Sequence, residues 1–505
     1  MKRRYPHFSV CLVALNLLIP ILGISLSNAA EPPKNHWTVM HYGAMDNSVE
    51  EQAMISYEQM KTGFIDDQGY TLIVLVDRSP EYSDDSTVFG EDFADTRLYR
   101  ITHDKTERLD GGPEFPELTK TSTYEANTAD AQTLKKFIRS CKANYPAEHY
   151  ALIIFSEGSG PVTCLDEGNE GDWIYTAEMT DVLTAEESVD LIGLDVCYMG
   201  GVENAYQWRP GNDKFGAQFM IASAPTSAPW PYEKILERLR SGGGDNGEED
   251  TMVGGKEKYY DPATMTTLDL AGVIMEEIYD RKLLSFSWGC YDLTKVEAVK
   301  EKVDAFAVRL ATEGEKDDLE FIRGSGRNVR TLNYMFPKTL LILTGLAMKD
   351  NWLLVPYFDL YDLARRTYES RRFSTSIRSV AQEVMLAVDE MVVFSFRDFD
   401  DLWQGPGGFE NGKNGIYTVF PDGDREYSGM PFWAQFTWYN VLSVTETPEG
   451  WPEEIWGPYP TYGKYAWCAD GATPGNNTVE NWFELLDSWF DTDNGVDGGL
   501  NGYQW

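Results

Sequence analysis

The sequence is poor in histidine, in positive charge and in long apolar runs, and each shortage excludes something. Five histidines occur in 505 residues, and none follows His149. Any chemistry that needs an imidazole must draw it from the first third of the chain. Lys and Arg number 43 against 81 Asp and Glu, a net charge of −38. Such a surface repels nucleic acid and anionic membranes. The most apolar N-terminal run, Val10 to Leu22, is broken by Asn16 and Pro20 and is too short for a good membrane span. Cysteine is also scarce, and its spacings match no zinc pattern.

What is present begins with an address. Lys2, Arg3 and Arg4 precede the apolar run, and Ser27-Asn28-Ala29 fits a small-residue cleavage site, so residues 1–30 are expected to be a signal peptide. No cysteine stands at that site to carry a lipid. The expected mature chain has 40 Lys and Arg against 81 Asp and Glu, a net charge of −41. It keeps five cysteines: Cys141, Cys164, Cys197, Cys290 and Cys468. An odd number in an exported protein leaves at least one thiol unpaired or paired between chains, and Cys197 is the candidate. A secreted or periplasmic protein of bacterial style is expected.

Apolar patterning places the elements. Trp37–Tyr42, Tyr70–Val76, Leu98–Ile101, His149–Phe155, Leu191–Leu194, Phe215–Ser223, Leu284–Trp288 and Gly415–Phe420 read as strands. Helices are expected from Asp46-Asn47-Ser48 to about Lys61, over Ala129–Asn144, near Ala177–Glu187, and over Tyr232–Leu239, Pro262–Tyr279 and Leu293–Ala311. Two more fall near Phe358–Glu369 and Ser374–Val393. Ser241–Asp250 reads as a flexible acidic loop. Continuous apolar runs such as YTLIVLV suit parallel strands covered on both faces. Strands alternating with helices predict an α/β fold with a mainly parallel sheet flanked by helices. The polar stretch Thr312–Asp318 is the expected boundary between a core of residues 31–312 and a C-terminal accessory domain of residues 313–505.

The segment Leu191–Gly201, LIGLDVCYMGG, puts a cysteine at the C-terminal edge of a strand, before a glycine turn and a helix starting at Val202. That is where a thiolate is stabilised and where open α/β sheets meet substrates. WTVMHYGAMDNSVE, LIGLDVCYMGGVENAYQ, FGAQFMIASA, PWPYEKIL, DLYDLARR and GIYTVFP, in this order, resemble the clostripain family of cysteine peptidases, within the caspase-like group. The resemblance runs from Trp37 to about Asn440. It implies a caspase-like core, with Cys197 at the nucleophile position, Gly158 as the oxyanion donor and Asp195 as one acid of a pocket for basic side chains.

Three departures stand out. The family's general base is a histidine followed by glycine after the preceding core strand, and the residue at that place here is Glu157, in SEGSG. The second pocket acid is missing from Ala224–Pro229. No Lys or Arg lies between Lys142 and Arg209, where active members are processed. Glutamate has an ordinary pKa near 4.3 against about 8.5 for cysteine, so it takes the thiol proton at a cost of roughly 6 kcal/mol. Its negative charge also raises the thiol pKa. Glu157 then has three readings: a mark of lost activity, a site for a cation or peptide amine, or an unusual base. His41, near the end of the first strand, is either a core histidine or a relocated base oriented by Glu157.

The function expected is therefore a secreted clostripain-like protein, catalytically impaired and binding peptides or proteins. The alternative is an active cysteine endopeptidase that uses Cys197 with Glu157 or His41 and has altered specificity for the residue before the cut. No cofactor is required on either reading. Asp491–Gly499, DTDNGVDGG, has the oxygen density of a calcium loop without EF-hand glycine spacing, and reads as a solvated turn or a calcium site. The aromatic stretch Trp451, Trp456, Tyr459, Tyr462, Tyr465 and Trp467 reads as a loop packed on the core or a ligand platform.

Overall fold

The computed structural model describes residues 35–65, 69–211, 213–281, 287–324, 330–334, 357–397, 408–420, 465–469 and 478–490. The expected signal peptide, the calcium-like loop and residues Trp451 to Tyr462 of the aromatic stretch lie outside them.

The strands are β1 (Asn35–Met45), β2 (Tyr70–Arg78), β3 (Thr96–Thr102), β4 (Lys105–Arg108), β5 (Ala147–Phe155), β6 (Val162–Asp166), β7 (Asp172–Tyr175), β8 (Val189–Asp195), β9 (Ala217–Ser223), β10 (Gly244–Glu249), β11 (Lys256–Tyr259), β12 (Ser287–Asp292), β13 (Tyr357–Asp359), β14 (Val392–Arg397) and β15 (Tyr417–Val419). The helices are α1 (Glu50–Gly63), α2 (Ala131–Asn144), α3 (Thr176–Val182), α4 (Val202–Gln207), α5 (Tyr232–Glu237), α6 (Thr267–Asp280), α7 (Val296–Glu313), α8 (Lys316–Arg323), α9 (Leu360–Glu369), α10 (Thr375–Met391) and α11 (Trp482–Phe490).

Nine strands form one sheet in the order β14-β12-β9-β8-β5-β1-β2-β3-β4. The five central strands, β9, β8, β5, β1 and β2, are parallel, and two further strands are added at each edge by antiparallel pairing, each against its neighbour. The alternation of side chains along a strand divides the buried residues between two cores. From β2, Ile73 and Leu75 enter one core while Leu72, Val74 and Val76 enter the other. From β8, Ile192 and Leu194 face the first core and Leu191 faces the second. Residues of α1, α5 and α6 cover the second core, and residues of α2, α4, α7, α9, α10 and α11 fill the first. This two-faced covering is why the central strands read as unbroken apolar runs. The mainly parallel sheet flanked by helices is the architecture the sequence predicts.

Several elements differ from expectation. The helix after β1 starts at Glu50, with Val49 as N-cap and no side-chain cap. Asn47 instead ties the turn down, donating to the carbonyls of Ala44 at 3.0 Å and Leu165 at 2.7 Å. The acidic stretch after α5 is not a loop throughout, because β10 pairs antiparallel with β11. The strand expected at Leu284–Trp288 runs over Ser287–Asp292, beside β9. Beyond residue 318 the chain returns to the core sheet, where β14 hydrogen-bonds along β12.

Candidate active site

β5 and β8 lie side by side, with Phe155 paired to Asp195. Glu157 and Cys197 each lie two residues past that pair, so they leave adjacent parallel strands at the C-terminal edge of the sheet. Ligands of open α/β sheets bind at this edge. The chain turns sharply after Cys197. Tyr198 sits at φ 59°, in the left-handed region that costs a residue with a side chain about 1–3 kcal/mol. Its N–H donates to the Pro225 carbonyl at 2.8 Å, and its own carbonyl accepts from the Tyr417 hydroxyl. Such strain persists only where surrounding contacts hold it, and here it aims Cys197 out of the sheet.

Of the five cysteines among the described residues, Cys197 is half-buried while Cys141, Cys164, Cys290 and Cys468 are buried. The Cys197 sulfur accepts the backbone N–H of Ser227 at 3.3 Å and lies 3.8 Å from the Ser227 hydroxyl. Burial first, then the negative charge of Glu157, pushes the thiol up to about 12, against the two Ser227 bonds. At neutral pH the thiolate is then scarce. Glu157 is itself raised above the ordinary carboxylate range by burial, with the charge of Glu167 adding and the Ser48 hydroxyl, 3.2 Å from Oε1, opposing. The charge of Glu157 thus works against ionisation of the thiol.

Gly158 stands beside this pair. A Cβ there would come within 2.3 Å of Val196 Cγ1 and 3.3 Å of the Cys197 carbonyl, so no larger residue fits without movement. Its neighbours make the hairpin bonds to β6: the Glu157 carbonyl accepts from Cys164 N–H, and Ser159 N–H donates to the Val162 carbonyl. In that alternation the N–H of Gly158, bridged to Thr163, points out of the pairing.

His41 is held elsewhere. It is fully buried on the face covered by α1 and α5. Nδ1 lies 3.3 Å from the Tyr57 hydroxyl and Nε2 lies 3.3 Å from the Tyr232 hydroxyl. Burial lowers its pKa to about 3, so it stays neutral. Both ring nitrogens are taken by tyrosines, and neither is bonded to Cys197 or Glu157. The relocated base therefore lacks the geometry it needs, because β1 turns His41 into the core.

Asp195 is buried two residues before the cysteine. Its Oδ2 accepts the Trp230 N–H at 2.8 Å and the Tyr232 hydroxyl at 3.0 Å. Burial raises its pKa to about 7, against those bonds and the charge of Arg281.

Side chains from distant sequence support the two site loops. The Tyr357 hydroxyl donates to the Ser159 carbonyl, and the Tyr465 hydroxyl to the Gly160 carbonyl at 3.0 Å. Asn204 Nδ2 bonds both loops, at 3.1 Å to the Gly160 carbonyl and 3.0 Å to the Met199 carbonyl. Tyr465 and Trp467 are buried, as packed-loop residues would be. Nothing in the sequence marks Ser227 as a partner of Cys197 or Ser48 as a partner of Glu157. Tyr417 belongs to the GIYTVFP resemblance, which says nothing of its role as a support, and Tyr357 lies two residues before DLYDLARR, outside any matched motif. Among the described residues no group of three or more His, Cys, Asp or Glu is arranged to hold a metal ion, and no helix is long and apolar enough to cross a membrane.

Comparison with known proteins adds a lineage to this geometry. The profile of the clostripain family matches residues 41–489. Clostripain of Hathewaya histolytica is 42% identical over 499 residues, which span 93% of this chain and 89% of that protein. Two solved structures are similar at a lower level. An inactive zymogen C11 protease from Parabacteroides distasonis has 15% identity and a TM-score of 0.49, over 77% of this chain and 93% of its own. A secreted C11 cysteine protease from Bacteroides thetaiotaomicron, solved with an irreversible peptide inhibitor, has 17% identity and a TM-score of 0.48, over 80% of this chain and 97% of its own.

Proposed function

We propose a function for a chain that belongs to the clostripain family: a secreted protein with a cysteine-peptidase frame, impaired in hydrolysis, that binds peptide or protein in the cleft around Cys197. The observation that carries this reading is the carboxylate of Glu157 acting on a thiol held at about 12. Attack on a peptide carbonyl needs the thiolate, and departure of the amine needs an acid that can return the proton. An imidazole does both near neutral pH. Glu157, at the place the family resemblance gives to histidine, does neither well: ionised, it repels the thiolate, and protonated, it cannot accept the proton. The Gly158 N–H would still face a substrate carbonyl, and Asp195 would still line the pocket, so binding outlasts the chemistry. Secretion rests on the basic, apolar and small-residue pattern of residues 1–30.

A second reading is an active endopeptidase in which Cys197 works with Glu157. The 42% identity to clostripain over nearly the whole chain favours it. One experiment separates the two. The purified mature protein, Cys197→Ala and Glu157→His are each treated with a thiol-reactive peptide probe and a pool of peptides across pH. Impairment predicts no turnover by the wild-type chain and turnover in Glu157→His larger by about 10² or more, the usual contribution of a placed general base. Turnover by the wild-type chain that disappears in Cys197→Ala would sink the impaired reading and establish the second.

A further inference from the structure

Two loops meet at this site. One follows β5 and carries Glu157 and Gly158, the other follows β8 and carries Cys197, and a single side chain from β13 touches both. The Tyr357 hydroxyl donates to the Ser159 carbonyl on the first loop. Its ring packs on the ring of Tyr198, the strained residue after Cys197, with centroids 5.7 Å apart. It also stacks on Tyr417, with centroids 4.1 Å apart and planes within 20° of parallel. Tyr417 in turn grips the second loop twice: its hydroxyl donates to the Tyr198 carbonyl, and its N–H to the Gly200 carbonyl at 3.0 Å. The two hydroxyls converge over Gly160, where a Cβ would collide with Tyr357 Oη and lie 3.0 Å from Tyr417 Oη. Tyr198, Tyr357 and Tyr417 are all buried.

The placement of the thiol depends on this packing. Cys197 precedes Tyr198, whose backbone keeps its left-handed conformation only while its neighbours hold it. With Tyr198 so held, the Cys197 sulfur meets the Ser227 N–H at 3.3 Å, a bond that favours the thiolate. We propose that Tyr357 is a positioning residue for Cys197: together with Tyr417 it braces the two loops into one unit, so that the thiol and the Gly158 N–H keep a fixed relation. Tyr357 bonds only the loop opposite the thiol, so its effect on Cys197 passes through the rings of Tyr198 and Tyr417. Both bracing residues lie beyond residue 312, and the C-terminal part of the chain thereby completes the site. The brace acts in the same way whether the site hydrolyses peptide or only binds it.

Packing alone would cost stability, whereas a brace also carries a change at Ser159 across to the thiol. The full mature chain, Tyr357→Phe, Tyr417→Phe and the double variant are alkylated with iodoacetamide under native conditions, and the rate is read by mass spectrometry of the Cys197 peptide. Phenylalanine keeps each ring and removes one hydroxyl. Each single variant is expected to slow Cys197 by about three- to tenfold, because the loop relaxes and the Ser227 bond to the thiolate weakens. The double variant should be no slower than the slower single one, since both cut the same brace, whereas independent effects multiply. A Tyr357→Phe rate within about twofold of the wild-type chain, or faster, overturns the proposal whatever the loss of thermal stability. So does a double variant slowed by the product of the two single effects. Hydrogen exchange in the unmutated chain gives a second reading that needs no variant to fold. The Ser159 N–H, bonded to the Val162 carbonyl, and the Tyr198 N–H, bonded to the Pro225 carbonyl, lie on different loops. A shared brace makes them open together, with protection that falls in step as urea is added. Protection lost from one loop well before the other overturns the brace.

Discussion

At the scale of single residues, the molecule is governed by what surrounds each titratable group. Cys197 and Glu157 sit where two parallel strands end, and the charge of Glu157 adds to burial in raising the thiol. Glu157→Gln removes the charge but keeps the shape, so the thiol should ionise at lower pH. The pH at which iodoacetamide alkylation reaches half its limiting rate is expected to fall from near 12 by about one pH unit, measured by mass spectrometry of the Cys197 peptide. An unchanged profile would show that Glu157 is not the charge that matters. His41 gives a second case. Its folded value of about 3 lies below its ordinary 6.5, so the unfolded chain takes up a proton first as pH falls. His41 therefore withdraws stability progressively from about pH 6.5 down toward 3. In His41→Gln this part of the acid sensitivity should vanish, read as a flatter urea midpoint against pH over that window, whatever the variant's stability at neutral pH.

Elements place these residues, and close packing holds the elements. α2 buries Leu134, Phe137 and Ile138 against the sheet face that leads to β5 and β8. Leu134→Ala should cost about 2–5 kcal/mol by leaving a cavity, measured by urea denaturation. The turn after Cys197 depends on close backbone approach. A Cβ on Gly201 would lie 2.6 Å from the Tyr417 ring, while the Tyr417 N–H donates to the Gly200 carbonyl at 3.0 Å. Gly201→Ala should lose about 1–3 kcal/mol and move β15 off the turn after Cys197. A crystal structure of the variant with β15 in place and unchanged stability would contradict that account. Tyr417, which helps lock the turn, comes from more than 200 positions away, so no local pattern near Cys197 announces it.

The whole molecule carries an excess of acid both outside and in. Its net charge of −38 makes self-repulsion a general term. Inside, Asp77 accepts from the Thr96 and Thr128 hydroxyls, and Asp166 takes the Thr128 N–H and hydroxyl at its other side. Burial raises both carboxyls above the ordinary range, with the charge of Asp166 adding at Asp77 and that of Asp46 adding at Asp166. A carboxyl raised on folding holds its proton more tightly in the folded state, so its contribution is fully present at low pH and is lost as pH rises through the folded value. Asp77→Asn should therefore gain on the wild-type chain as pH climbs above about 4, seen as a widening difference in melting temperature. A constant difference would mean the pair does not share its charge. Added salt should also stabilise the wild-type chain by screening the surface.

The sequence by itself determined the strand runs, the order of the helices and the place of Cys197, because burial on both faces of a parallel sheet leaves continuous apolar segments. It also made Glu157 legible, since Gly158, Ser159 and Gly160 fix its position relative to Phe155. The strand at β12 and the hairpin β10–β11 were placed less well, because glycine-rich and acidic segments carry little periodicity. Only the tertiary structure decided which groups meet Cys197. Ser227, Tyr198 and Asp195 converge through a loop pinned at three points, His41 turns into the core between two tyrosines, and Tyr357 touches both site loops. Those contacts arise from strand pairing between distant segments, and hydrogen bonding over such separations leaves no spacing in the sequence to read.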